Sequence, residues 1–249
     1  MDQIRRIEEA GFSSWPAPQH LYERGWLVRF GGGHTKRANS ANPLCPGADD
    51  PDDLIRAVAA AYRKRGRPPI FRLTPLVDVE AFDRRLAALD YRLVEPSRVM
   101  VRPELDTLPQ PSIPPELRLS IDPCLSAAWL AAIDRIQPIA PVERPARERI
   151  LAAIAAPTAY AALHDGGDAV AVLLGVVTGA WFTLHSVATH PDRRGHGLMR
   201  ALIGAVGVWA RRQGAAAGQL FVVAGNAPAE RLYEGLGYRE LYRYHYRIG

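Results

Sequence analysis

The chain has 249 residues, 48% of them hydrophobic and 23% charged, with 31 basic against 26 acidic side chains for a net charge of +5. That length and balance suit one large or two small folded domains with a sizeable core, and exclude a fibrous or disordered chain. No stretch approaches the ~18 uncharged apolar residues of a membrane span, the start Met1 to Glu9 lacks the apolar centre of a signal peptide, and Cys45 and Cys124 make neither a disulfide framework nor a metal-ligand spacing, which points to a cytoplasmic protein.

In chain order, Trp26 to Phe30 reads as a strand, Gly31-Gly32-Gly33 as a turn, and Thr35 to Ser40 as the return of a hairpin. A helix is expected over Asp53 to Lys64, a strand over Ile70 to Leu73, a helix over Val79 to Leu89 and a strand over Arg98 to Arg102. The segment Pro103 to Pro115 carries five prolines, no aromatic residue and no periodicity, and reads as an extended, semi-rigid linker. The boundaries drawn on it are 1–105, a linker 106–116, and 117–249. Beyond it come a strand (Leu117 to Ile121), a helix (Leu125 to Ile136, with Trp129, Ile133 and Ile136 at helical spacing) and a second helix (Ala146 to Ala155). Tyr160 to His164 and Ala169 to Val177 form a hairpin through Asp165-Gly166-Gly167-Asp168. A strand from Trp181 to Thr189, a helix from Leu198 to Gln213, a strand from Gln219 to Val223, a helix behind Asn226 and a last alternating strand to Ile248 complete the order.

The most informative run is Val187 to Met199, an apolar strand leaving through His190-Pro191 into a loop with two arginines and two glycines, then directly into a helix. Glycine at 195 and 197 lets main-chain N–H groups approach a ligand with no Cβ in the way. Those groups belong to the unsatisfied first turn of a helix, a ready anion site, and Arg193 and Arg194 add positive charge. The loop therefore reads as a diphosphate cradle. It lacks the Gly-Lys-Ser/Thr of a P-loop, and Arg200 stands where a dinucleotide fingerprint needs its third glycine.

Arg194-Gly195-His196-Gly197-Leu198-Met199 resembles the acyl-CoA loop of the GNAT superfamily of N-acetyltransferases, R/Q-x-x-G-x-G/A, with Met199 where the pattern has a small residue, a change that narrows the approach. A second stretch is similar to that superfamily's N-x-x-A-x-x-L-Y-x-x-x-G-[FY] pattern, with Asn226, Ala229, Leu232, Tyr233, Gly237 and Tyr238 in register. Asn226 suits a helix N-cap, Pro228 an early helical position and Gly237 a C-terminal cap. The resemblance implies an α/β protein of two GNAT-like halves, each a mixed, mostly antiparallel twisted sheet flanked by helices.

It also implies that acetyl-CoA is held by the main chain of Val187, Ala188 and Thr189 along its pantetheine arm. The diphosphate falls to Arg194, Gly195, His196, Gly197, Leu198 and Met199, and Asn226 bonds the arm or the strand edge. Tyr233 becomes the general acid for the leaving thiolate. His185, two residues before Val187 and expected on the same strand face, becomes the general base, a task suited to an imidazole.

The N-terminal half carries a weaker echo. Leu86-Ala87-Ala88-Leu89-Asp90-Tyr91-Arg92 aligns without a gap to Tyr233-Glu234-Gly235-Leu236-Gly237-Tyr238-Arg239, a candidate internal repeat. Its strand-to-helix loop, Cys45 to Asp53, holds four aspartates that would repel a diphosphate, and Leu86 stands in place of Tyr233, so no CoA is expected there. The stretch Gly25 to Leu44, with Thr35-Lys36-Arg37-Ala38-Asn39-Ser40, is similar to bacterial tandem-GNAT proteins but brings no chemistry with it, and Lys36-Arg37 reads as a solvated strand pair, with contact to the acceptor as the alternative.

The basic excess is scattered, with no nucleic-acid fold signature, so no nucleic-acid or membrane partner is expected. The reading is acetyl transfer to a primary amine of a small molecule by direct attack in a ternary complex, without metal, by a monomer or homodimer. Its rivals are a protein lysine or N-terminus as acceptor, a longer acyl donor, or a non-catalytic acyl-CoA sensor.

Overall fold

A computed structural model describes residues 1–45 and 51–249. The N-terminal half runs α1 (Asp2–Ser14), β1 (Gln19–Glu23), β2 (Trp26–Phe30), β3 (Ala41–Pro43), α2 (Pro51–Arg63), β4 (Ile70–Leu73), α3 (Val79–Ala88) and β5 (Arg92–Arg102). The C-terminal half runs β6 (Leu117–Asp122), α4 (Ala127–Ile136), α5 (Arg144–Ala152), β7 (Thr158–Asp165), β8 (Asp168–Thr178), β9 (Trp181–Thr189), α6 (Leu198–Arg212), β10 (Ala217–Val223), α7 (Ala227–Gly235) and β11 (Arg239–Ile248).

All of these strands join one sheet in the order β1-β2-β3-β4-β11-β5-β10-β9-β8-β7-β6. The two halves share it by exchanging their last strands. β11 lies antiparallel to β4, β5 lies antiparallel to β10, and β5 and β11 pair with each other at the centre. Each half otherwise repeats one plan, a hairpin, a third antiparallel strand and a parallel step through a helix, with β3–β4 matching β9–β10. The aligned repeat of the sequence falls on α3–β5 and α7–β11, with Leu86 and Tyr233, and Tyr91 and Tyr238, all buried.

Apolar β8, without polar alternation, is buried on both faces, as such a run requires. On one face α6 packs Leu202, Ile203 and Val206 against Leu173, Phe182 and Leu184. On the other, α4 and α5 pack Trp129, Ile133 and Ile150 against Leu174 and Val176. Each such side chain contributes about 1.5–3 kcal/mol by leaving water. The linker lies within this packing: Leu105 and Leu108 are buried in the α6 core, and the Leu105 N–H donates to the Ala216 carbonyl at 2.8 Å.

The N-terminal helix escaped the sequence reading although Ile4, Ile7, Ala10 and Gly11 stand at helical spacing. It crosses the shared centre, with Ile7 packed among Val99, Val101 and Tyr242. Beneath it Glu8, 2% exposed, takes the guanidinium of Arg72, 1% exposed, and accepts from the Tyr242 hydroxyl at 2.5 Å. Edge strand β1 escaped too, because only Leu21 of its five residues packs on the core and its turn is Arg24-Gly25 rather than an asparagine-glycine pair.

The hairpin expected between Trp26–Phe30 and Thr35–Ser40 is corrected. The strand returning along β2 is Ala41–Pro43, and residues Lys36–Ala38 form a 3-10 turn. Asn39 decides this: its Oδ1 accepts from the Gly31 and Gly33 N–H groups, both at 2.9 Å, and its Nδ2 donates to the His34 and Thr35 carbonyls. A side chain that saturates the local backbone leaves nothing for a ladder. Of the acidic loop, Asp49 and Asp50 lie outside the described residues, whereas Asp52 and Asp53 open α2.

Candidate active site

Strand β9 runs parallel to β10 only over Trp181 to Thr183, and beyond Thr183 the two strands part. The β10-facing edge of β9 from Leu184 onward therefore has no partner strand, and such backbone groups are obligatory hydrogen-bonders in search of one. On its other edge β9 carries a β-bulge. Leu174 pairs with His185 and Val172 with Ala188, so Ser186 and Val187 together face Leu173, with Ser186 at φ +50°.

The bulge corrects one expectation. Strict alternation puts His185 and Val187 on one face, but the extra residue breaks the period. His185 stays with Trp15 and Leu174 on the α4 side, and Val187 turns to the α6 side.

The cradle forms where β9 meets α6. Gly195 and Gly197 sit at φ +79° and +72°, with open space where a Cβ would stand. Gly197 is the N-cap of α6 and offers no side-chain cap, so the N–H groups of Leu198, Met199 and Arg200 have no acceptor among the described residues. Arg194 anchors the loop by donating from Nε to the Thr189 carbonyl at 3.3 Å. Arg193 is drawn aside into an ion pair with Asp165 at 2.7 Å.

A cleft of about 750 Å³ opens here, lined by Val187, Ala188, Thr189, Arg194, Gly195, Gly197, Leu198, Met199 and Asn226, and so by every expected cofactor-binding residue except His196. The His196 ring bonds the Arg194 carbonyl at 2.8 Å and lines a separate depression beside Glu116 and Leu117. Met199 is buried in the α6 core as well as lining the cleft, so little of its extra bulk stands in the approach.

Helix α7 closes the cleft. Its N-cap Asn226 accepts from the Ala229 N–H at 3.4 Å, and one helical face presents Ala229, Leu232 and Tyr233. Tyr233 is 7% exposed, its hydroxyl makes no hydrogen bond among the described residues, and burial pushes its phenol up to about 12.

A second cavity, of about 330 Å³, meets the first at Gln137, Val187, Asn226, Ala229 and Tyr233, which line both. Its far wall comes from the N-terminal half: Trp15, His34, Thr35 and Arg37. Of these, only Arg37 had an acceptor-side alternative in the sequence; Trp15, His34 and Thr35 had none. For Thr35 and Arg37 the signal was the Thr35–Ser40 motif; Trp15 and His34 lie outside it.

His185 also lines this second cavity, in a chain of hydrogen bonds that assigns its tautomer. Arg37 has only donors, so its Nη2 donates to His185 Nδ1 at 3.4 Å; Nε2–H then donates to Ser14 Oγ at 3.0 Å, and Ser14 donates to the Gly11 carbonyl at 3.2 Å. Burial and the neighbouring Arg37 hold the imidazole well below its ordinary value, and its one lone pair faces a cation. Those are poor conditions for a proton acceptor, and the base role expected of His185 has no support in this geometry. His34 is placed differently. Its Nδ1 lies 3.1 Å from Glu143 Oε2, which leaves Nε2 without a partner among the described residues.

A splayed parallel strand pair, a glycine cradle at a helix N-terminus and a buried tyrosine on the next helix define a GNAT-type N-acetyltransferase. Residues 1–247 match the family described as probable histone acetyltransferase Rv0428c C-terminal, and the chain belongs to that family. It is 24% identical over 249 residues to the uncharacterized N-acetyltransferase YobR of Bacillus subtilis strain 168, covering 100% of this chain and 99% of that one. Among solved structures it is similar to a GCN5-related N-acetyltransferase from Kribbella flavida, with TM-score 0.69 and 17% identity over 98% of this chain and 94% of the other. It is also similar to a tandem GNAT protein from the clavulanic acid biosynthesis pathway, with TM-score 0.64 and 14% identity over 80% and 69% of the two chains. Among the described residues no helix is long and apolar enough to cross a membrane.

Proposed function

We propose that this acetyltransferase uses acetyl-CoA and transfers the acetyl group to a primary amine of a small molecule, by direct attack in a ternary complex. The observation that carries the reading is the junction of two cavities at Val187 and Tyr233, one large enough for the nucleotide thioester and one for a small acceptor. The residues present fit the cofactor: unpaired α6 N–H groups and Arg194 for a diphosphate, and an unpaired β9 edge for the amides of an extended arm.

Acetyl-CoA supplies an activated acyl thioester. The backbone of Val187 to Thr189 aligns it, and an N–H at the Ser186–Val187 bulge polarises its carbonyl. His34, oriented by Glu143, takes the proton of the attacking amine, directly or through water. The C–S bond breaks as the C–N bond forms, and Tyr233 gives its proton to the departing sulfur.

A proton passing from a phenol at about 12 to a thiol near 8.5 goes uphill by roughly 5 kcal/mol. Desolvation of the thiolate in the closed cleft raises its basicity and narrows that gap. The N-terminal half takes no CoA in this reading, since acidic Asp52 and Asp53 occupy the first turn of α2.

A protein lysine is the second reading, favoured by the description of the family. Against it stands the size of the acceptor cavity, about 330 Å³, walled by buried Trp15 and His185. The test is thiol release from acetyl-CoA with a panel of small amines beside lysine-containing histone peptides. Turnover of small amines and loss of it in His34→Gln support the proposal. Turnover of peptides alone moves the acceptor to protein, and CoA binding with no turnover of either overturns the proposed reaction.

A further inference from the structure

We infer that Arg37 is an anion clamp for the acceptor, so that the amine acetylated by this enzyme also carries a carboxylate. The inference rests on the acetyltransferase reading above and names its substrate class.

Arg37 is held for this task rather than left in solvent. Its carbonyl accepts from Arg29 Nη1 at 2.8 Å. Its neighbour Thr35 is kept at φ +56°, a costly conformation for a β-branched residue, by the Trp15 Nε1–H bond to Thr35 Oγ1 at 2.9 Å and by Asn39. The guanidinium lies 5.6 Å from the centre of the Trp15 ring and 5.2 Å from that of Phe221, and both rings line the acceptor cavity with it.

No carboxylate among the described residues comes within ion-pair distance of this half-buried cation. The acids nearby are engaged elsewhere: Glu8 by Arg72, Glu143 by His34, Glu95 by Lys36, and Asp134 by Arg144 and Arg147. Among the described residues the one hydrogen bond of its guanidinium is to His185, held neutral in the wall.

A second observation, from the opposite half, points the same way. Arg147, 4% exposed, lines the same cavity. Its Nη1 reaches Asp134 at 2.6 Å, but its Nε and Nη2 are buried with no partner among the described residues. Buried donors on a charged group are costly to leave unmade.

Two guanidiniums short of acceptors would repel a simple cationic amine at the mouth of the reaction. An amine that brings its own carboxylate satisfies them, and the planar fork of arginine matches that group. In a cavity of about 330 Å³ with Arg37 in one wall and Tyr233 at the junction with the cofactor cleft, an amino-acid-sized molecule spans both. The N-terminal motif thereby acquires a role: it reads the acceptor, while the C-terminal half holds the donor.

The test compares matched acceptors on the full chain: an amino acid, its decarboxylated amine, its amide and its aminophosphonate. The amino acid is expected to exceed the amine and the amide by about 10- to 100-fold in kcat/KM, mainly through KM. In Arg37→Gln that preference collapses: kcat/KM for the amino acid falls, the decarboxylated amine, with one repelling charge gone, keeps at least its unmutated turnover, and Arg37→Lys restores part of the preference. Inhibition gives a second readout on the unmutated protein, the N-acetylated amino acid competing with the amine and the N-acetylated amine failing to do so.

Equal or better turnover of the decarboxylated amine overturns the inference, as does a uniform loss across all acceptors in Arg37→Gln. Preference for the aminophosphonate replaces the carboxylate by a phosphate-like anion and overturns the substrate class stated here. If CoA itself fails to bind by calorimetry, the acetyl-CoA reading falls first; if CoA binds and carboxylate-free amines turn over best, only the clamp falls.

Discussion

The two parallel steps of the sheet, β3 to α2 and β9 to α6, hold equivalent places in the two halves and end in opposite chemistry. Helix α6 starts at Gly197 with no acid in its first turn and Arg194 beside it, so its N–H groups remain open to an anion. Helix α2 starts with Asp52 and Asp53, the latter paired to Arg56 and Arg24. One start leaves its helix dipole open to a ligand, and the other meets it with internal carboxylates. The difference teaches how a duplicated plan divides labour. The half whose cradle is closed by acids turns its 3-10 turn toward the neighbouring cavity, and lines the acceptor side with Trp15, His34 and Arg37.

The strongest way to break this comparison is to break the joint between the halves. Glu8→Ala strands Arg72 in the shared centre, and a buried charge without its partner costs about 3–5 kcal/mol. Urea unfolding is expected to show that loss in one cooperative transition, because the sheet is common to both halves. Two separated transitions would mean that the halves fold independently.

Next, Gly197→Asp gives α6 the character of α2. The substitution meets a backbone at φ +72° and sets a carboxylate where the diphosphate is proposed. Calorimetry with CoA, which binds once per wild-type chain in this reading, is expected to show a Kd about 100-fold weaker.

Tyr233→Phe sharpens the contrast with Leu86 of the other half. We expect kcat to fall by about 10- to 100-fold, with the Kd for CoA within about twofold, as for a group that acts only on proton transfer. Burial holds the phenol at about 12, so kcat should show no loss from this proton below about pH 11.

The smallest effect concerns His185. Its folded value lies well below the ordinary 6.5, so below pH 6.5 the unfolded chain binds a proton that the native chain refuses. Stability therefore falls as pH drops through that value, by at most about 1.4 kcal/mol per pH unit. Urea midpoints between about pH 7.5 and 5.5 should record the slope, and His185→Asn should flatten it.

Local pattern made much of this legible from residues alone. The strand Trp181–Thr189 and the helix from Leu198 stand where periodicity put them, and Asn226 caps α7 as its residue type suggests. What escaped has a common cause. β1 sets only Leu21 against the core, too little to make a burial pattern. The Thr35–Ser40 segment turns on the four hydrogen bonds of Asn39, which no hydrophobic period records. The bulge at Ser186 changes faces without changing composition, and that was enough to move His185 away from Val187.

By itself, then, the sequence determined the two motifs and the elements that carry them, because glycine conformation, capping and apolar spacing act within a few residues. Only the tertiary structure decided that β5 and β11 change places, and that Arg37 reaches His185 across 148 residues of chain. Those choices depend on ladder pairing and buried polar networks between distant segments. Their free energy exists only once the sheet has closed around them.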